Sequence, residues 1–368
     1  MAGFEGCASS REFYWHLGSD NGEMWDRFPV VSSWRWGLYD EKNKRQFVRD
    51  LVQNGGWLLI GDSITEGHFF SISCLLYPHV LATPDYVQNP YFDRAWPQHM
   101  YLNPSSPVLP TLQYPPGFNI STTPLITFRR VDLLLSTSEL EILHREKHPE
   151  MYEEDGVGNN FTLFSDEAVW SLSPSTYIEN LFLLPPPYGN YANLIVSTAG
   201  HWTTSMFSGY ASIDGLISFF AEAMHAWATH TQLALDDDYD SGGQKKNRNV
   251  LVRAYLPGHE DCHTHRAPAA QIPPMKWGWY NWGSIPEFNR VFEDILASPS
   301  YPTTPSSFPN IPSYPNIHYL PIDRPARLRP DAHATGDCLH IIAGAGVLEG
   351  WTEYVWHYTT WFLGGGEG

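Results

Sequence analysis

No stretch of eighteen apolar residues occurs in this chain of 368 residues, so no segment reads as a bilayer-spanning helix. Basic residues are scarce. Lys and Arg number 22 against 40 Asp and Glu, a net charge of −18. That surface repels phosphate backbones and anionic headgroups, which argues against a nucleic-acid or membrane partner. Cysteine is sparse too: Cys7, Cys74, Cys262 and Cys338 are all there is. Four can close two disulfides in three pairings or stay free, so composition leaves the compartment open. The start, Met1-Ala2-Gly3-Phe4-Glu5-Gly6, lacks the charged and apolar regions of a signal peptide. Internal repeats and convincing linkers are also lacking. The expectation is one domain over residues 1–368, with residues 1–40 as a Trp-rich flanking segment packed on it.

What is present points to a folded protein rich in rings. The apolar fraction is 42%, ordinary for a globular chain. Fifteen Trp, twenty Tyr and thirty Pro stand out. Aromatic rings suit sugar faces and suit a core, and composition alone does not choose. Two sequons, Asn119-Ile120-Ser121 and Asn160-Phe161-Thr162, would accept glycan in a secreted chain.

Periodicity supplies the architecture. A helical pattern covers Lys42 to Gln53, and the apolar run Trp57 to Ile60 reads as a buried strand entering Gly61-Asp62-Ser63. Phe69 to Leu76 looks helical. Further strands fit Leu125 to Val131, Asn193 to Thr198, Val250 to Tyr255 and Ile317 to Ile322. Helices fit Ile213 to Leu235, Pro286 to Leu296 and Glu349 to Phe362. Alternating strands and helices imply an α/β fold, a mostly parallel sheet covered on both faces. Three Pro-rich stretches, Asn103 to Pro116, Leu184 to Tyr191 and Ser298 to Pro315, read as long surface loops. The acidic run Asp236 to Asp240 reads as a solvated turn.

In such a sheet, ligands bind beyond the carboxyl ends of the strands. Gly61-Asp62-Ser63-Ile64-Thr65 lies there, between a strand and a helix. A serine on that turn exposes its hydroxyl near backbone N–H groups that can steady an oxyanion. A plain helix cap has the same residues. Asp337-Cys338-Leu339-His340 adds weight, because a serine nucleophile needs a base and the base an orienting acid. His259 to His265 carries three His and Cys262, but none of the usual zinc spacings.

Upstream of that loop stands Arg329-Pro330-Asp331-Ala332-His333, and downstream Gly344, Gly346 and Trp351. With Gly61-Asp62-Ser63 followed by Cys74-Leu75-Leu76, this resembles the trichome-birefringence-like polysaccharide O-acetyltransferases and their fungal relatives, the PC-esterase group with an SGNH-hydrolase-like core. Trp34-Arg35-Trp36, Phe128-Arg129-Arg130, Gly200-His201-Trp202 and Val252-Arg253-Ala254-Tyr255 extend the resemblance over Cys7 to Trp361. It implies a three-layer α/β sandwich with long inserted loops. Ser63 is implied as nucleophile, His340 as general base and Asp337 as its acid. Arg130, or Arg129 beside it, falls where a cation can face the oxyanion. Gly61, Asp62, Ile64, Gly200 and Thr198 fall on the oxyanion and substrate side.

The chain departs from the family at several places. Thr198 stands where such cores often carry asparagine, and Ile341-Ile342-Ala343 replaces Trp-Cys and proline. This marks a divergent, fungal-like member. The implied partners are a polysaccharide or oligosaccharide acceptor and an acetyl donor, with no cofactor and no metal. The resemblance also pairs Cys262 with Cys338, leaving Cys7 for Cys74, and implies an oxidising compartment such as the Golgi lumen or the exterior. A carbohydrate acetyl esterase shares the chemistry. A catalytically silent glycan-binding protein shares the scaffold.

Overall fold

Short apolar runs between turn residues become strands here because both faces of the sheet are covered. β1 (Gly56–Gly61), β5 (Tyr191–Ser197) and β6 (Asn249–Arg253) are buried along their whole length, as expected of central parallel strands. The structure is a computed structural model; it describes residues 4–9, 40–83, 97–152, 161–240, 248–274, 279–296, 313–333 and 337–364. Trp34-Arg35-Trp36, most of the 1–40 flanking segment, Asn160 and most of the Ser298 to Pro315 stretch lie outside the described residues.

With β2 (Val80–Thr83), β3 (Gln98–Leu102), β4 (Ile126–Arg130) and β7 (Ile317–Leu320), the strands form one sheet in the order β2-β3-β4-β1-β5-β6-β7. Strands β4, β1, β5, β6 and β7 run parallel, while β2 and β3 pair antiparallel at one edge. That edge hairpin was not legible in the periodicity. β3 alternates buried with half-buried positions and carries Gln98, His99 and Tyr101, so its apolar signal is thin.

Helix α1 (Glu41–Gln53) starts at Asp40, whose carboxylate accepts from the Lys42 N–H, and buries Phe47, Val48 and Leu51. Helix α2 (Ser63–Leu75) begins six residues earlier than its apolar pattern suggests. Asp62 caps it, and Ile64 through Leu75 are all buried, so no polar face marks the start. A capping box at Ser136 and Glu139 opens α3 (Thr137–Lys147), a helix the apolar pattern does not announce.

Helix α4 spans Ile213–Asp240. The acidic run expected as a turn is its last turn. Gln232 donates to Asp236 at 2.9 Å, and Arg248 reaches Asp238 at 2.8 Å, so the carboxylates are supported without burial. Helix α5 (Ile285–Leu296) packs on α4 through Phe288 and Phe220, ring centroids 4.8 Å apart. Helix α6 (Val347–His357) continues as a π-helical turn over Tyr358–Leu363.

Phe69 of α2 meets Phe128 of β4, and Phe47 of α1 meets Trp356 of α6. Helices α1, α2 and α6 therefore share one face; α3, α4 and α5 make up the other layer. The result is a three-layer α/β sandwich. Disulfides join Cys7 to Cys74 and Cys262 to Cys338. Among the described residues, no helix is long and apolar enough to cross a membrane.

Candidate active site

From β1 the chain leaves toward β4, and it later returns to β5 on the other flank. The carboxyl end of β1 is therefore a topological switch point, where such sheets form crevices. Gly61 ends that strand under close contact: a Cβ there would lie 2.7 Å from the Ser197 carbonyl oxygen. Only the absence of a side chain lets β1 and β5 meet so tightly above the turn.

Asp62 and Ser63 follow. One Asp62 oxygen accepts from the Ile64 N–H at 3.0 Å, and the other accepts from the Tyr255 hydroxyl at 2.6 Å. Asp62 is thus a cap tied down from β6's end. Ser63, the first residue of α2, remains half-buried. Its hydroxyl lies 2.7 Å from Nε2 of His340.

His340 Nδ1 donates to Asp337 Oδ2 at 2.9 Å. The other Asp337 oxygen accepts from the Leu339 and His340 N–H groups at 2.8 and 2.7 Å. Burial pushes the Asp337 carboxyl up. The hydrogen bond and charge of His340 and the two backbone N–H groups outweigh it and hold the group down at about 2. The loop is fastened further: His259 N–H donates to the Cys338 carbonyl at 2.8 Å, beside the Cys262–Cys338 disulfide. His333 Nδ1 donates to the His340 carbonyl at 3.2 Å. The sequence-predicted trio is therefore one hydrogen-bonded chain, assembled from two segments 277 residues apart.

The oxyanion-side residues divide. Gly200 sits against the Tyr255 hydroxyl, which a Cβ would strike. Thr198 commits its hydroxyl proton to the Asp132 carbonyl at 2.6 Å, so it locks the β4 and β5 loops together. Ile64 offers no open donor either, since its N–H serves the Asp62 cap. Arg130 is buried, with Nε donating to Asp132 at 3.0 Å and the guanidinium 4.0 Å over the Trp170 ring. Its NH1 is buried without a hydrogen-bond partner among the described residues. Arg129, one residue earlier on the strand, points to the opposite sheet face.

Several site neighbours carried no predicted role. Asp132 pairs with Arg130 and lies 3.9 Å from His201, which is equally far from Asp62. Burial raises the Asp132 carboxyl, against the pull of His201 and Arg130. Arg253 stacks 4.0 Å over Trp351 and donates to Thr65 at 3.2 Å. Burial draws its guanidinium down to about 10, against the opposing charge of Asp62. Arg253, Tyr255 and Trp351 all lay in matched motifs, but only the folded contacts reveal what they hold.

The His259 to His265 segment does not gather as a metal set. Cys262 and Cys338 spend their sulfurs on each other, although His263 lies beside them. His259 turns instead to His333 at 2.6 Å and the Arg327 carbonyl at 2.9 Å.

No family model matches the chain, and no curated protein matches it.

Proposed function

We propose that the protein transfers an acyl group through Ser63, on an SGNH-type core, and that its physiological reaction is O-acetylation of a polysaccharide in the secretory pathway. One observation carries this reading: the His340 ring bonds Ser63 through one nitrogen and Asp337 through the other. That is the arrangement a serine nucleophile needs. Two disulfides agree with an oxidising compartment.

In the first half-reaction, Ser63 Oγ attacks the acetyl carbonyl of a donor as its proton passes to His340 Nε2. Asp337 keeps the imidazole in the Nδ1–H tautomer and offsets the charge that forms. The backbone N–H groups of Ser63 and Gly200 are the donors this reading assigns to the oxyanion, with the unpaired NH1 of Arg130 as the nearby cation. The tetrahedral intermediate collapses, the C–O or C–S bond to the leaving group breaks, and His340 returns the proton to it. In the second half, a sugar hydroxyl gives its proton to His340 and attacks the acyl-enzyme; the ester bond to Ser63 Oγ breaks, His340 returns the proton to that oxygen, and the acetylated sugar leaves.

Water in place of the sugar gives an esterase. The half-buried position of Ser63 favours this as the second reading. Transfer wins only where a positioned acceptor excludes water.

Release of 4-nitrophenol from 4-nitrophenyl acetate tests the shared chemistry. Wild-type turnover should drop about 10³-fold or more in Ser63→Ala, with the circular dichroism spectrum unchanged. A variant retaining most of the activity removes Ser63 from the reaction. Mass spectrometry of oligosaccharides incubated with an acetyl donor then separates transferase from esterase, by the gain of one acetyl group.

A further inference from the structure

The opposite edge of the sheet lies one strand length away, about 17 Å along β1 at ~3.3 Å per residue. A cavity of about 890 Å³ opens there, between the end of α1, the starts of β1, β5 and β6, and the π-helical turn after α6. Its size falls in the range of about 300–1,000 Å³ typical of small-molecule sites.

Strand register builds its floor. Trp57 of β1, Asn193 of β5 and Asn249 of β6 are lateral partners, so their side chains leave the sheet on the same face. Trp57 packs against Phe47 of α1, centroids 5.0 Å apart, which identifies that face as the one under α1 and α6. Phe47 also meets Trp356 at 5.0 Å, and Trp356 Nε1 donates to Asp50 at 2.8 Å. At the mouth stands Trp361, 61% exposed.

Asn193 gives the cavity its chemistry. It is only 7% exposed and lines the cavity. Its amide carries two donors and an acceptor, a match for hydroxyls that both donate and accept. The exposed Trp361 ring offers a flat apolar surface beside those polar groups, which suits the C–H face of a pyranose. Charge narrows the class. Asp50 lines the cavity, and no Lys or Arg does among the described residues, so phosphates, sulfates and uronates are disfavoured. We infer that this cavity binds a neutral oligosaccharide, at a site separate from Ser63. The inference does not rest on the acyl-transfer reading.

The test is calorimetric titration of the purified full chain with cellohexaose, xylohexaose and mannohexaose, and with hexagalacturonate as the charged control. At least one neutral hexamer should bind and hexagalacturonate should not. Trp361→Ala and Asn193→Ala should each weaken that binding about tenfold or more, while 4-nitrophenyl acetate hydrolysis and the thermal midpoint of Trp361→Ala stay at wild-type values. Failure of all three neutral hexamers to bind overturns the inference. So does binding that survives both substitutions, or binding of hexagalacturonate as tight as the best neutral hexamer. If hexamers bind and Trp361→Ala abolishes it, but the wild type is inert toward the acetate ester, the site stands and the acyl-transfer reading fails.

Discussion

At the residue scale, Asp337 combines two jobs that one carboxylate can separate by oxygen. Oδ1 accepts two backbone N–H groups and so shapes the loop, while Oδ2 accepts from the His340 ring. Asp337→Asn keeps the shape but can present an N–H to His340, favouring the wrong tautomer. Under the acyl-transfer reading, kcat on an acetate ester should fall about 10³–10⁴-fold. The same substitution has a pH signature. Because the folded pKa of about 2 lies below the ordinary 3.8, the native state gains stability from Asp337 above pH 3.8. That gain is lost as pH falls toward 2. Thermal midpoints of wild type and Asp337→Asn should therefore converge between pH 4 and 2; a constant gap means Asp337 titrates alike in both states.

At the scale of elements, the loop before α6 is a short irregular segment that has to hold two side chains against a strand end far away in sequence. It is clamped by the Cys262–Cys338 bond, by the His259 N–H, and by His333 on the His340 carbonyl. The disulfide closes a separation of 76 residues, for which loop entropy gives at most about 4.5 kcal/mol. Replacing both cysteines by serine should lower unfolding stability by about 2–4 kcal/mol in urea titrations. Activity on the acetate ester should fall as well, since the Asp337 to His340 loop loses a tether. Wild-type stability and rate in the double variant would mean that the hydrogen bonds alone hold the loop.

At the scale of the whole molecule, several histidines are held neutral by burial. His68 is fully buried, and burial with the nearby Arg253 charge keeps its pKa well below 6.5. Burial lowers His99 to about 4. The unfolded chain takes up these protons near pH 6.5 and the native state does not, so native stability should fall as pH drops from 6.5 toward 4. His99→Gln removes one such group. Its thermal midpoint should decline less steeply than that of wild type across this window, and parallel declines would exclude His99 as a contributor.

Much of this architecture follows from local rules. The buried strands were visible as apolar runs, since central parallel strands need apolar residues on both faces. α1 and α5 showed their stripes for the same reason in reverse, each having one wet face. α2 hid its start because it is buried all round, and the β2–β3 hairpin hid because β2 is only four residues long and Gln98, His99 and Tyr101 interrupt the apolar signal of β3. Gly61-Asp62-Ser63 and Asp337-Cys338-Leu339-His340 were legible because the turn geometry and the Asp-to-His spacing are encoded within a few residues. What only the tertiary structure decided are the pairings between distant segments: Ser63 with His340, Asp62 with Tyr255 193 residues on, and Thr198 with the Asp132 carbonyl. The Trp57–Asn193–Asn249 row is of the same kind. Strand register aligns those three, and register is a property of the packed sheet rather than of any one strand's sequence.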